Sequence, residues 1–462
     1  MDGEARHRGK GRKLLWIAGA VLIALAALAT FRVGAAPQIS IEPALPGIGR
    51  RTPVTVVFGE SSRGLSRIQV EVVQGELSQV LAEEEYQPRA TWKFWGPRTQ
   101  HAELELEIGS ETVDGLQQGE ATVRARAWPA PTWLRRPDPV VQDLSLPVRL
   151  IPPAIEVLSM QNYVARGGAG VVVYRAGESA VRDGVEVKGK WFPGYPLPGG
   201  GNDERFSLYA VPFDLENGDE IQLVAEDDVL NRSSRSFVEQ FFAKGYKTDT
   251  IQITDGFMEK VVPEILEQTP GLKKQDSLLE SYLEINGELR RRNTETLTAL
   301  GEASRQEFLW DRPFYTMPNG QVMSAFADRR TYFYEGQPVD QQDHLGFDLA
   351  SVRRAEVPAA NRGVVVLARY LGIYGNAVVI DHGYGLMSLY GHLSSLSVSE
   401  GATVERGQTV GRTGETGLAG GDHLHFTMLV RGESVTPIEW WDAKWIRDRF
   451  AAKLGDSFPF KP

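Results

Sequence analysis

The sequence predicts a mostly β chain in several parts: an N-terminal apolar helix, two β-sandwich modules, a helical hairpin and a C-terminal Gly-rich antiparallel β domain. Three observations carry that expectation. At 462 residues the chain exceeds what one hydrophobic core holds. Short alternating or β-branched runs, set between turn residues, recur through most of it, with 48 Gly and 26 Pro to make the turns. Helical spacing is confined to the N-terminus, to residues 256–303 and to a short stretch near the C-terminus. The net charge of -10 argues against a nucleic-acid partner. The absence of cysteine excludes disulfides, thiolate metal sites and cysteine nucleophiles.

In chain order, Arg6, Arg8, Lys10, Arg12 and Lys13 precede Leu14 to Phe31, an uncharged and mostly apolar run of eighteen residues. At about 1.5 Å per residue such a run spans roughly 27 Å, close to the thickness of a hydrocarbon core. Basic residues ahead of it direct the remainder of the chain out of the cytoplasm. A cleaved signal peptide would use Gly34, Ala35 and Ala36. The run is longer than a usual signal-peptide core, so residues 1–36 read as a cytoplasmic basic tail and a retained transmembrane signal-anchor. The localisation expected is a single-pass cell-membrane protein with its bulk in the periplasm or otherwise outside the cytoplasm.

Residues 37–152 read as a first β-sandwich, with Thr52 to Phe58, Ser66 to Val73, His101 to Ile108 and Ala121 to Ala127 as strands. After the linker Ile151-Pro152-Pro153, residues 153–245 read as a second β-rich module. Its candidate strands are Val171 to Tyr174, Val185 to Trp191, Phe206 to Val211 and Glu220 to Ala225, with a turn at Asn217-Gly218-Asp219. Both look Ig-like and carry no visible chemistry. They serve as spacers, or as recognition surfaces for wall glycan or envelope protein partners. Residues 246–306 form a helical connector, in which Val261, Ile265 and Leu266, then Leu278, Leu279, Tyr282, Leu283, Ile285 and Leu289, recur at helical spacing. This hairpin either connects or leans on the following domain and restricts access to it. Arg290, Arg291 and Arg292 read as a solvated face. Residues 307–440 return to Gly-rich strands, and 441–462 hold a C-terminal helix and tail, with helical spacing from Glu439 to Leu454.

Five of the seven histidines fall between 344 and 425, far above an even scatter. Four of these sit in His344-Leu-Gly-Phe-Asp348, Tyr390-Gly-His392-Leu393 and His423-Leu424-His425-Phe426. Residues two apart in a strand share a face. One face of 344–349 thus carries His344, Gly346 and Asp348, with Leu345, Phe347 and Leu349 behind, and Gly346 leaves room for an ion or its bound ligand. His423 and His425 share a face opposite Leu424, Phe426 and Met428, and Ser388, Tyr390 and His392 share another. Two imidazoles and a carboxylate leave a coordination position open on zinc, which points to a hydrolytic centre. Tyr390 reads as packing rather than as an oxyanion donor, and His382 as structural.

These phrases resemble the lysostaphin-type zinc metallopeptidases, the LytM-like cell-wall endopeptidases, over roughly 314–437. Supporting phrases are Pro318-Asn319-Gly320, Gly372-Ile373-Tyr374-Gly375-Asn376, Ile380-Asp381-His382-Gly383 and Gly407-Gln408-x-Val410-Gly411-x-Thr413-Gly414. The resemblance implies one Zn2+ held by His344, Asp348 and His425, with His392 and His423 as the catalytic pair, base and stabiliser unassigned. It implies hydrolysis of the stem or bridge peptides of peptidoglycan by a zinc-activated water. The alternative is a non-enzymatic activator or scaffold of other wall hydrolases, a group that typically lacks part of the metal set. The chain departs from the family at Ala327-Asp328-Arg329, where a Gly often precedes the Arg, and at Ala419-Gly420-Gly421-Asp422, where a Thr-Gly-Pro-like lead is common.

Overall fold

The computed structural model describes residues 5–31, 35–87, 96–132, 136–458 and 460, and the side chains of the first helix from 13 to 27. Strands dominate, as expected. Residues Ala5–Phe31 are helical. Among the described residues no helix is long and apolar enough to cross a membrane. The side chains of residues 28–31 of that run, and Gly34 of the cleavage reading, lie outside what is described.

The chain divides into two compact units, residues 1–153 with 226–232, and residues 154–225 with 233–462. The first is a sandwich of two antiparallel sheets. One orders Gln38–Pro43, Thr52–Gly59 and His101–Ile108; the other orders Leu77–Glu85, Leu65–Gln74, Gly119–Pro129 and Val140–Val148. Val54, Val56 and Phe58 of the first sheet and Ile68, Val70, Val72, Val123 and Ala125 of the second are buried in one core. Three strands escape the sequence reading: Gln38–Pro43, Leu77–Glu85 and Val140–Val148. All three are edge strands. The fourth edge strand, His101–Ile108, alternates strictly and is among those expected, whereas Leu77–Glu85 runs into three glutamates and Val140–Val148 keeps no period of two.

The second unit begins with a β-rich part and continues without a break into the histidine-bearing sheet, so the boundary expected at 245 lies inside it. The single strand expected over Val185 to Trp191 is a hairpin, Arg182–Val187 with Lys190–Pro193, turned at Lys188 and Gly189, both with positive φ. Two central residues with φ > 0 are what a tight two-residue hairpin requires. The expected turn at Asn217 is present, with the Asn217 side chain accepting from Asp219 N.

The large sheet of this unit runs in the order Gln321–Ser324, Phe347–Ala350, Leu424–Val430, Leu386–Gly391, Asn376–Gly383, Gly363–Tyr370 and Thr403–Val404, with Glu433–Val435 paired to Leu424–Val430. Its middle strands are buried on both faces. A small sheet of Glu356–Pro358, Thr409–Arg412 and Ser395–Leu396 accompanies it. A third sheet joins Thr248–Gln252 to Asp328–Tyr334 in parallel, and Asp328–Tyr334 to Gln337–His344 in antiparallel.

The helical segment follows Thr248–Gln252. Asp255–Gln268 is capped by Thr254, which accepts from Phe257 N, and it buries Met258, Val261, Val262 and Ile265 along one stripe. Leu278–Glu284 starts with a capping box between Ser277 and Glu280, passes through a π-helical turn at Ile285–Leu289 and continues as Arg290–Glu302. The buried stripe meets Tyr332 and Ile373 of the neighbouring sheet and turn in a small core of its own. Polar ties reinforce the contact. Glu264 accepts from Tyr370 Oη at 3.1 Å and from Gly417 N at 3.0 Å, and Asn293 accepts from Ile373 N at 3.0 Å.

The terminal helix expected from Glu439 to Leu454 is broken. Pro437–Trp441 ends at Asp442, whose extended ψ and side-chain bond to Lys444 N restart the chain as Ala443–Trp445, a π turn at Ile446–Ala451 and Ala452–Leu454. Trp440, Ile446 and Phe450 nevertheless face inward, and Trp440 and Phe450 pack against Trp310.

Candidate metal centre

The expected histidine strand over 344–349 is two strands, Gln337–His344 and Phe347–Ala350, with a break at Leu345 and Gly346. His344 ends the first, opposite Asp328. Asp348 lies on the second, in register with His425 of Leu424–Val430. Gly391 faces His425 on its other side. The side chains of His344, Asp348 and His425 converge, each offering a ligand atom within 4.8 Å of the others. A side chain at Gly346 would meet the His425 ring and Thr427 Oγ1 at 2.5 Å. The missing side chain therefore makes room for the ring of His425.

Hydrogen bonds fix which atoms face the centre. His344 Nδ1 lies 3.1 Å from Ala325 O, a carbonyl that only accepts, so this nitrogen carries the proton and Nε2 presents a lone pair. Thr427 Oγ1 donates to Leu345 O at 2.9 Å, so at 3.0 Å from His425 Nε2 it accepts, and His425 Nδ1 presents its lone pair. His344 Nε2 is 2.9 Å from Asp348 Oδ1 and 3.1 Å from His425 Nδ1, and His425 Nδ1 is 3.0 Å from the same carboxylate oxygen. Two lone pairs and a carboxylate oxygen brought this close share the region a cation occupies. The other carboxylate oxygen, Oδ2, accepts from Arg330 Nη2 at 2.9 Å. Burial alone would raise the Asp348 carboxyl, but His344, with His423 and His425, holds it well below the ordinary range. Burial pushes His425 down to about 4. An ionised carboxylate and a neutral imidazole are the protonation states a metal ligand needs, so the donor set fits Zn2+.

His392 and His423 stand beside this trio, with ring centroids 4.8 Å apart, and the His392 ring is 5.7 Å from that of His425. The parity argument fails at His392. Its strand ends at Gly391, and His392 takes a left-handed conformation at φ 62, which turns it out of register with Tyr390. His392 Nδ1 donates to Thr416 O at 2.9 Å, leaving Nε2 as an acceptor. Burial holds its pKa well below normal. His423 Nδ1 donates to Gly421 O at 2.7 Å, and its Nε2 lies 3.4 Å from Asp348 Oδ1. Burial pushes the His423 pKa down, but the Asp348 carboxylate prevails and raises it. Tyr390 is buried, and its hydroxyl accepts from Ala360 N at 2.7 Å and from Ser388 Oγ at 2.9 Å. His382 is fully buried, bonded through Nδ1 to Arg362 O and through Nε2 to Ser388 Oγ.

A cavity of about 350 Å³ opens onto the five residues and is walled also by Gln252, Phe257, Tyr282, Arg290, Tyr332 and Tyr374. Several of these were absent from the sequence reading. Arg330, Thr427 and the carbonyls of Ala325 and Thr416 have no local signature, because their roles follow from strand pairing across long stretches of chain. Ala327 did leave a trace. It sits at φ 63, where glycine is at ease, within the phrase Ala327-Asp328-Arg329 in which the resemblance expects a Gly before the Arg.

The peptidase family M23 profile matches residues 342–437, a span that contains all five histidine-centre residues. Residues 342–437 form a peptidase family M23 domain. Around the M23 domain the chain is similar to the peptidoglycan DD-endopeptidase ShyA of Vibrio cholerae, 32% identical over 161 residues, covering 34% of each chain. It is also similar to the DD-carboxypeptidase/endopeptidase Mpg of Neisseria meningitidis, 40% identical over 95 residues, covering 21% of this chain and 22% of that one. A third relative is the murein hydrolase activator EnvC of Escherichia coli, 34% identical over 123 residues, covering 27% of this chain and 29% of that one. The chain thus spans about a third or less of the length of these relatives.

Proposed function

We propose that the chain is an envelope-anchored zinc metalloendopeptidase that hydrolyses peptide cross-links of peptidoglycan. The observation that carries this reading is the convergence of His344 Nε2, Asp348 Oδ1 and His425 Nδ1, with two further histidines beside them in an open cavity. The similarity of the M23 domain to two wall endopeptidases supports the substrate class. Zinc, if held by these three residues, would supply Lewis acidity and lower the pKa of water. The protein's own groups do the rest. Ala325 O and Thr427 Oγ1 hold the two ligand rings in the needed tautomer, and Arg330 orients the carboxylate. His392 Nε2, left free by the bond to Thr416, accepts the proton of the attacking water. His423 differs in carrying a second proton, since against burial the Asp348 carboxylate raises its pKa, and as an imidazolium with Nδ1 tied to Gly421 O it donates from Nε2 to the oxyanion that develops. The apolar run before residue 32 supports anchoring to the cell membrane, with this domain outside the cytoplasm.

Purified full-length protein loaded with zinc is expected to release peptides from wall sacculi, read by mass spectrometry, and to stop when chelated. A His425→Ala protein that cleaves at the wild-type rate overturns the ligand assignment. The similarity to EnvC favours a second reading, an activator of other wall hydrolases. That reading predicts protein that is inert on sacculi, yet raises the rate of a separate hydrolase.

A further inference from the structure

The guanidinium of Arg290 is out of keeping with the solvated face that its sequence context suggests. Its neighbour Arg291 does lie in solvent, paired with Glu288 at 2.6 Å and with Glu295. Arg290 instead turns inward, half-buried, and lines the cavity that holds the histidine cluster. It makes no ion pair among the described residues. Its hydrogen bonds go to one residue, Nε to Asn286 O at 3.1 Å and Nη2 to Asn286 Oδ1 at 2.7 Å. The Asp340 carboxylate that Asn286 also contacts is already engaged, accepting from Asn286 Nδ2 at 2.6 Å and from Gln342 Nε2 at 3.2 Å. Asn286 thus pins Arg290 on one side without neutralising it. Asn286 lies within a π-helical turn and Arg290 directly follows it, a departure from α-helix that recurs at functional sites. Around the guanidinium stand the rings of Tyr282 and Tyr374, which lend no charge at neutral pH. The second arginine of the cavity, Arg330, is committed to Asp348.

A half-buried guanidinium with no anionic partner, held in place beside a reaction centre, is an anion receptor, and its planar fork matches a carboxylate. We propose that Arg290 is a specificity-determining residue that binds a carboxylate of the peptide substrate, so that the helical segment supplies part of the substrate site. This rests on the reading of the centre as a peptidase for its choice of ligand. Peptides of the wall carry free carboxylates that neutral or amidated peptides lack, and the cavity would sort substrates by that group.

The test uses the full chain without metal, so that nothing is hydrolysed, and measures binding of two probes by calorimetry. One is a short synthetic stem peptide with a free C-terminal carboxylate; the other is the same peptide as its C-terminal carboxamide. The expected result is that wild-type protein prefers the carboxylate by about 10- to 100-fold, as a charge-assisted pair provides. In Arg290→Gln the ratio of the two affinities falls toward one. A wild-type protein without preference, or an Arg290→Gln protein that keeps it, overturns the proposal. Should Arg290→Gln fail to fold, Arg290→Met replaces it, removing the charge while keeping an unbranched side chain. A lost preference there supports the assignment and an undiminished one rejects it. Cleavage is measured apart, on zinc-loaded wild type. Protein that cuts neither peptide but shows an Arg290-dependent preference ends the peptidase reading and leaves the carboxylate site standing.

Discussion

At residue scale, the centre depends on groups that never touch an ion. Thr427 donates to a carbonyl and therefore accepts from His425, so one hydroxyl decides which imidazole nitrogen is offered. Thr427→Val is expected to weaken zinc binding by about 10- to 100-fold, the usual cost of losing such a partner, measured by competition with a chelating dye. His392→Ala makes a contrasting case. It should lower turnover on sacculi by about 10²- to 10⁴-fold, as loss of a general base does, while zinc content by metal analysis stays at the wild-type level. Loss of both together would make His392 a ligand instead. The residues that carry chemistry were legible because histidine is scarce and its clustering conspicuous. Arg330 and Arg290 were not, since arginine is common on surfaces and only strand pairing and the helix rotation reveal which way each turns.

At element scale, period-two alternation found the central strands of the first sandwich and one of its edges, His101–Ile108, and missed the other three edges. It also overran two turns, at Lys188-Gly189 and at Leu345-Gly346, where apolar residues recur at even spacing across a break in the strand. The terminal helix was misread for a related reason. Aromatic spacing marks a buried face but does not register the restart at Asp442. That region carries its own prediction. Glu439, on Pro437–Trp441, is buried against Gly168 and accepts from Ala169 N at 2.8 Å. Burial raises its pKa to about 7. Between about pH 4.5 and 7 the folded protein therefore holds a proton that the unfolded chain has released, so stability falls as pH rises through that window and levels off above it. Glu439→Gln should flatten the fall, which is worth about 3 kcal/mol, in denaturant titrations run from pH 4.5 to pH 8. An unchanged slope would place the titration elsewhere.

At the scale of the whole molecule, the sequence conveyed the broad order of parts but not how they merge. Nothing local announces that residues 154–225 share a compact unit with the M23 domain, or that Thr248–Gln252, far upstream in sequence, forms a strand beside Asp328–Tyr334. Such joins depend on contacts between distant segments, to which periodicity is blind. The proposed anchor is tested at this scale. A chain beginning at residue 37 is expected in the soluble fraction of lysed cells, whereas the full chain sediments with membranes and resists salt extraction. Equal solubility of the two would remove the anchor.

The helical segment is fastened at both ends. Its leading strand is paired into a sheet, and near its far end Gly301 packs against the backbone of Arg431 and Gly432. It resembles a bridge more than a hinged door. A single protease cut in the exposed link between residues 270 and 276 would leave each half seated by its own contacts. The nicked protein should therefore keep its cavity wall, elute as one species, and come apart into two fragments only in denaturant.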